Sequence, residues 1–282
     1  MNATHDYAPM TKRLRTSIVT MLTEAKSGHP GGSLSCADLI GILFAGTLRG
    51  LPKSQAEFHA PSQNRDRFVL SKGHAVPTLY AAFHDLGYLS AKDLSTLRQT
   101  GSPLQGHPDR VRMPLVEAST GSLGQGLSVA QGLAMGFKLD RAPHRVFCLL
   151  GDGEIQEGQV WEAALSAPKF KLSNLCAIVD ANGGQIDGPV SAVMPLEPLV
   201  DKWKSFGWFV EELNGHDLKA ISEAYARFDQ RSADDTQTKP TMIIARTVKG
   251  KGVSFMENKI EWHGVAPKTE ERDRALNEIN KV

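Results

Sequence analysis

The chain is poor in the features that mark secreted, membrane-embedded or nucleic-acid-binding proteins. It has three cysteines among 282 residues, Cys36, Cys148 and Cys176. That odd number, at these spacings, suits neither a disulfide framework nor a zinc site. Two of them sit inside apolar runs and read as reduced, buried thiols. Charge of one sign is also missing: 32 Lys+Arg against 31 Asp+Glu leave a formal net charge of +1, without the basic footprint of a general nucleic-acid binder. No apolar stretch approaches the ~18–20 residues of a membrane helix. The opening segment, Met1 to Met10, lacks the apolar region of a secretory signal. A cytoplasmic protein is expected, with no nucleic-acid or membrane partner. Two phosphate-binding patterns are absent as well. There is no G-x-x-x-x-G-K-[ST] sequence, and no G-x-G-x-x-G stands at the turn that matters below.

What is present suits a soluble globular chain, with 41% hydrophobic and 22% charged residues. The length allows two domains, but α/β sheets of this size often form one, and no internal repeat divides the sequence. We read 1–282 as a single domain. Leu14, Ile18, Met21, Leu22 and Ala25 recur at helical spacing within Met10–Ala25, and Ser27 to Gly32 stops that helix. A second helix is expected from Ser35, with Asp38 as a capping-box-like partner, carrying Leu39, Ile40, Leu43 and Phe44. Phe68–Leu70 reads as a short buried strand, followed by a helix around Thr78–Leu86. The Gln99–Ser122 stretch, broken by Pro103, Pro108 and Pro114, is a long loop of the kind that usually has a function. Leu123–Leu139 is expected to be a central buried helix whose four glycines mark close backbone approach.

The segment Val146–Gly188 is the most informative. Val146–Leu150 and Leu175–Val179 are continuous apolar runs, typical of a parallel sheet covered on both faces, with a helical stretch between them. Trp208–Leu213, Leu218–Phe228 and Thr241–Val248 repeat the alternation. The fold class expected is α/β, a mainly parallel sheet with helices on both faces. In a right-handed βαβ unit the strand ends are neighbours. Asp152 and Asn182, each just past one strand, therefore converge at the crevice where such sheets bind ligands. A carboxylate, an amide oxygen and a backbone carbonyl are hard ligands suited to Mg²⁺ or Ca²⁺. The glycines beside Asp152 and a following helix N-terminus favour an anion, so a metal-bridged phosphate or diphosphate is one reading. An ordinary Gly-Asp-Gly turn is the other.

Gly151-Asp152-Gly153-Glu154-Ile155-Gln156-Glu157-Gly158, followed by Asn182-Gly183-Gly184-Gln185-Ile186-Asp187-Gly188, closely resembles the thiamine-diphosphate motif of transketolases. The resemblance runs nearly end to end. It takes in Ser27–Gly32, Leu70-Ser71-Lys72-Gly73-His74-Ala75, Gly106-His107-Pro108, Thr120–Gly126, Lys249-Gly250-Lys251-Gly252 and Trp262-His263-Gly264. It implies Mg²⁺ ligation by Asp152, Asn182 and the Gly184 carbonyl, with Ca²⁺ or Mn²⁺ as substitutes. Gly153 and Gly158 would line the diphosphate. Gly121, Ser122 and Leu123 would lie under the aminopyrimidine and its linkage, with Ile186 as an apolar contact. Glu157 would belong to a carboxylate network joining two active sites. His29, His74, His107 and His263 would ring the thiazolium and handle the substrate, and moving protons on sugar hydroxyls near neutral pH calls for imidazoles. Lys249 and Lys251 fit diphosphate support or a solvated basic turn. His5, His59, His84, His144 and His216 read as surface or structural residues.

The resemblance covers only the first part of a full-length transketolase, which continues into a pyrimidine-binding half and a C-terminal domain. The implied protein is the N-terminal subunit of a split transketolase. It would work in pentose phosphate metabolism with a pyrimidine-binding C-terminal subunit, as an α2β2 heterotetramer. The implied reaction transfers a two-carbon ketol unit from a ketose phosphate to an aldose phosphate. Two other readings use the same residues: a deoxyxylulose-phosphate-synthase-like enzyme and a non-enzymatic nucleotide-binding domain. The four-histidine set favours transketolase.

Overall fold

The computed structural model describes residues 6–281; His5 lies outside them. Five parallel strands form the main sheet: β1 (Arg67–Leu70), β2 (Val146–Gly151), β3 (Leu175–Ala181), β6 (Phe209–Asn214) and β7 (Thr241–Arg246), in the order β1-β2-β3-β7-β6. Between β3 and β6, β4 (Gly184–Gln185) and β5 (Gly188–Pro189) make a small antiparallel ribbon. The apolar runs are the central strands, buried along nearly their whole length. Successive side chains point to opposite faces. Phe147, Leu149, Cys176, Ile178 and Ile243 enter one core with the Ala8–Ala25, Val76–Asp85 and Leu218–Ser232 helices. Val146, Cys148, Leu150, Ala177, Val179 and Ile244 enter the other, with the Gly126–Leu139 and Gly158–Lys169 helices. Strand β6 is only partly buried, as an edge strand carrying Glu211 and Glu212 should be. Among the described residues no helix is long and apolar enough to cross a membrane.

The first helix begins two residues before its expected start, with proline in its first turn, and ends where Lys26 takes a left-handed φ of 51°. Two expectations fail. Ser35 does not cap a helix with Asp38: Pro30–Ser35 and Ala37–Ile42 are separate short helices, followed by a π-helical turn at Leu43–Thr47. Ser35 Oγ instead donates to Asp180 Oδ2 at 2.6 Å, and Asp38 binds Arg15 and His216. Both side chains are drawn away by stronger, charged partners. The Gly126–Leu139 helix is not buried all round. Gly126 does meet Ser71 closely, but a Cβ at Gly132 or Gly136 would face open space, and Leu139 is exposed. Only one face of it packs against the sheet.

The parallel topology sets the site. The chain leaves β1 into Ser71–His74, β2 into Asp152, β3 into Asn182 and β7 into Thr247–Lys249, so four segments far apart in sequence emerge along one edge.

Candidate active site

Asp180, fully buried at the end of β3, is the hub beneath this edge. Its carboxylate accepts from Ser35 Oγ, Lys72 Nζ and Thr247 Oγ1, and from Asn182 Nδ2 at 3.3 Å. Burial pushes the carboxyl up, but the Lys72 charge and these hydrogen bonds outweigh it and hold it below the usual range. Lys72, itself buried, also donates to the Gly32 carbonyl at 3.0 Å. The hub orients Asn182. With Nδ2 committed to Asp180 and Ser35, Oδ1 turns toward the Gly184 amide, which it meets at 3.1 Å. Asp152 reaches the same turn from β2: its Oδ2 accepts from the Gly183 amide at 2.5 Å and its Oδ1 from Gly153 at 2.8 Å. Burial raises the Asp152 carboxyl to about 6, against those two hydrogen bonds and with the charge of Asp180 adding to the rise. A carboxylate this disfavoured gains strongly from a nearby cation. Among the described residues no three His, Cys, Asp or Glu side chains cluster to hold a metal ion. A cation here would draw on one carboxylate, one amide oxygen and a carbonyl.

The four histidines come together beside this turn. The rings of His29 and His74 lie 5.3 Å apart between centroids, His29 and His263 5.7 Å, His74 and His263 5.3 Å, and His29 and His107 6.1 Å. Burial first, then the positive charges of Arg98, Lys249 and Lys72, lowers His29 to about 4. Burial and Lys249 lower His263 to about 3. His74 falls well below its ordinary value, chiefly by burial, and His107 falls for the same reason with Arg98 adding to it. All four are neutral imidazoles near neutral pH. His29 Nδ1 is buried without a hydrogen-bond partner among the described residues. Lys249 is not part of a solvated turn. Its side chain is buried, with Nζ 3.3 Å from the Gly184 carbonyl and 3.0 Å from His263 Nδ1. Burial and the Lys72 charge lower it to about 8. Lys251, by contrast, is partly exposed beside Glu257.

The remaining site residues form a rim. Gly121, Ser122, Glu157, Gly158 and Ile186 are exposed, and Leu123 and Gly153 half-buried. Beneath them lies a buried carboxylate. Glu154, 2% exposed, accepts from Ser71 Oγ, from the Gly124 amide at 3.0 Å and from the Gly151 amide at 3.0 Å. It ties the Thr120–Gly126 loop to the ends of β1 and β2. A glycine is needed at position 124, where φ is +83° and a Cβ would stand 2.7 Å from that of Glu157. Lys72, Asp180 and Arg98 were assigned no role from the sequence. The signal for Asp180 was available: a charge placed directly after a five-residue apolar strand requires a buried partner. Cys148 and Cys176 lie in the sheet with their thiols raised by burial, which leaves them inert.

The chain is similar to known proteins along nearly its whole length. Residues 8–279 match the family described as transketolase, thiamine diphosphate binding domain. The chain is 41% identical over 267 residues to one subunit of the apulose-4-phosphate transketolase of Phocaeicola vulgatus, covering 95% of this chain and 91% of that one. It is also 41% identical over 255 residues to the 6-deoxy-6-sulfo-D-fructose transketolase subunit SqwG of a Clostridium species, covering 90% and 89%. The crystal structure of transketolase from Campylobacter jejuni superposes with a TM-score of 0.85 at 34% identity, over 99% of this chain and 43% of that chain. The chain thus belongs to the transketolase family, carrying its thiamine-diphosphate-binding domain and corresponding to the N-terminal subunit of a split transketolase.

Proposed function

We propose that the chain forms the diphosphate-binding half of a transketolase active site, moving a two-carbon ketol unit from a ketose phosphate to an aldose phosphate. The observation that carries this reading is the meeting of four neutral histidines from four segments beside the Asp152–Asn182–Gly184 turn. The residues fit the cofactor. Three hard oxygen donors suit Mg²⁺, with Ca²⁺ or Mn²⁺ as substitutes, and the unpartnered His29 Nδ1 leaves a buried polar atom for a ligand to satisfy. When bound, thiamine diphosphate supplies the electron sink for breaking and remaking the carbon–carbon bond.

The protein's own part is positioning and proton transfer. Asp152, Asn182 and the Gly184 carbonyl would hold the metal. Gly153 and Gly158 leave room for the diphosphate, and Gly121, Ser122, Leu123 and Ile186 receive the pyrimidine side. His74 and His263 would border both cofactor and substrate, while His29 and His107 would serve the substrate hydroxyls. A neutral imidazole donates from one ring nitrogen and accepts at the other, so this ring can orient a polyol without adding charge. Glu157, exposed on the rim, joins a carboxylate network with a second copy. The rim calls for a pyrimidine-binding C-terminal transketolase subunit, in an α2β2 assembly acting as one domain per chain in cytoplasmic pentose phosphate metabolism. One split relative is named for a ketose phosphate and the other for a sulfonated ketose, which supports a donor carrying an anionic group, phosphate among them. Calorimetric titration of thiamine diphosphate and Mg²⁺, together with ketose-donor cleavage with and without the partner subunit, tests the reading. Cofactor binding and partner-dependent turnover are expected; substantial turnover by the chain alone would overturn the split-site assignment.

A further inference from the structure

A second buried polar cluster, outside the histidine ring, grips the backbone on either side of Lys249. The Val248 amide donates to His216 Nε2 at 2.8 Å, and Arg15 Nε donates to the Lys251 carbonyl at 3.1 Å. The two grips meet at one carboxylate. Arg15 makes a bidentate pair with Asp38, Nη1 to Oδ1 at 2.8 Å and Nη2 to Oδ2 at 2.7 Å, and His216 Nδ1 lies 2.8 Å from Oδ2. Asp38 is 3% exposed and Arg15 8%. The hydrogen bonds fix the His216 tautomer: Nε2 accepts an amide proton, so the ring proton is on Nδ1 and points at Asp38. The loop itself is shaped to sit here. Gly252 has φ +92° and a Cβ there would stand 3.0 Å from Arg15 Cδ, while the Gly250 amide donates to the Gly31 carbonyl at 2.9 Å.

Lys249 is also held at its own carbonyl, which accepts from the Asn258 amide at 2.9 Å, and its stem packs beside Gly31 and Gly184. Its ammonium meets the Gly184 carbonyl and His263, both parts of the proposed site, so where it stands depends on where the Val248–Lys251 backbone is held. We propose that Asp38, bridging Arg15 and His216, is a positioning residue for this loop and acts on the cofactor site through Lys249. The functional arm of this proposal rests on the cofactor reading above; the structural arm does not. A cavity of about 510 Å³, lined by Lys12, Arg15, Asp38, His216, Leu218 and Lys251 among others, borders the cluster. Water from this cavity can solvate Arg15 in an Asp38→Asn variant, which retains an oxygen acceptor there, so the variant is expected to fold.

The test uses the full chain with Asp38→Asn and, separately, His216→Phe. Hydrogen exchange on the cofactor-free chain is expected to quicken about tenfold at Val248–Gly252, the loss of roughly one hydrogen bond. Exchange at Gly121–Leu123 and in β2 and β3 should stay at the parent rate. Acceleration spread evenly over the sheet in both variants would make the cluster an ordinary stabilising one and overturn the proposal. In the second arm, thiamine diphosphate affinity is measured with Mg²⁺ for Asp38→Asn, Lys249→Ala and the double variant. A fall in Asp38→Asn that disappears in the Lys249→Ala background supports action through Lys249; fully additive losses overturn it. A parent chain that binds no cofactor would sink the cofactor reading instead, and the exchange arm would still decide this one.

Discussion

The strand-end floor of the site and its outer rim are built in opposite ways. In the floor, Asp180, Lys72 and Glu154 are almost wholly buried; Asp180 binds three partners from distant segments, and Glu154 binds two together with the nearby Gly151 amide. In the rim, Gly121, Ser122, Glu157, Gly158 and Ile186 are exposed, and Ile186 leaves 70% of its surface to solvent. Buried charges are costly unless paired, so the floor has its geometry set by networks that cannot be partly made. An exposed apolar side chain beside exposed glycines imposes no such demand. The difference teaches that this chain fixes the buried polar network at the strand ends in advance, while the Gly121–Ile186 rim is left open to solvent.

The sharpest way to break that comparison is at the histidines. His29→Ala or His263→Ala in the assembled enzyme should lower kcat by roughly 10²–10⁴-fold, as for general acid–base groups, with a much smaller change in cofactor affinity. Unaltered steady-state kinetics in both would remove the ring from the chemistry. Next in size is the hub. Asp180→Ala strands the buried Lys72 ammonium and should destabilise the chain by about 3–5 kcal/mol, measured by urea denaturation.

A smaller effect should appear as pH dependence. Burial raises the Asp152 carboxyl to about 6, above its unfolded value of ~3.9. The folded chain therefore keeps a proton that the unfolded chain has released. The stability contributed by this group is present below about pH 4 and is lost as pH rises through about 6. Melting scans across that window should show less of this loss in Asp152→Asn than in the parent, and less again in the parent with saturating Mg²⁺. Identical slopes in all three would deny Asp152 its cation role. The smallest stability effect belongs to the rim. Ile186→Asp should change the stability of the isolated chain by no more than about 0.5 kcal/mol, yet weaken association with the pyrimidine-binding subunit in sedimentation or calorimetry. A stability loss rivalling that of Asp180→Ala would erase the distinction between floor and rim.

Much of this was legible in the sequence, for physical reasons that also explain the rest. The central strands were visible because parallel strands buried on both faces must be apolar throughout, as Val146–Leu150 and Leu175–Val179 are. The convergence of Asp152 and Asn182 followed from βαβ handedness. The four histidines were picked out by motif, but the mutual packing of His29, His74 and His263 at 5.3–5.7 Å, with His107 6.1 Å from His29, depends on long-range chain reversals that no local pattern encodes. Ser35 and Asp38 were misread because a capping box and a long-range ion pair use the same residue types. Only the fold shows that Asp38 faces Arg15 and His216. The Gly126–Leu139 helix was misread because glycine marks both close packing and open surface, and Gly126 and Gly132 exemplify one each.

The Asp180 hub has a consequence for how the protein is made. Its partners stand at positions 35, 72, 182 and 247, so contacts spanning most of the chain must close before Asn182 is oriented. Contacts of such long sequence separation form slowly, after local helices have appeared. A partly folded chain can thus possess its helices and several strands and still have no cofactor site. Cofactor that recognises only the finished state draws the folding equilibrium toward it, by about 2.7 kcal/mol at a hundredfold excess over its dissociation constant. Supply of the cofactor then acts on how much of the protein survives proteolysis in the cell as well as on how fast it works.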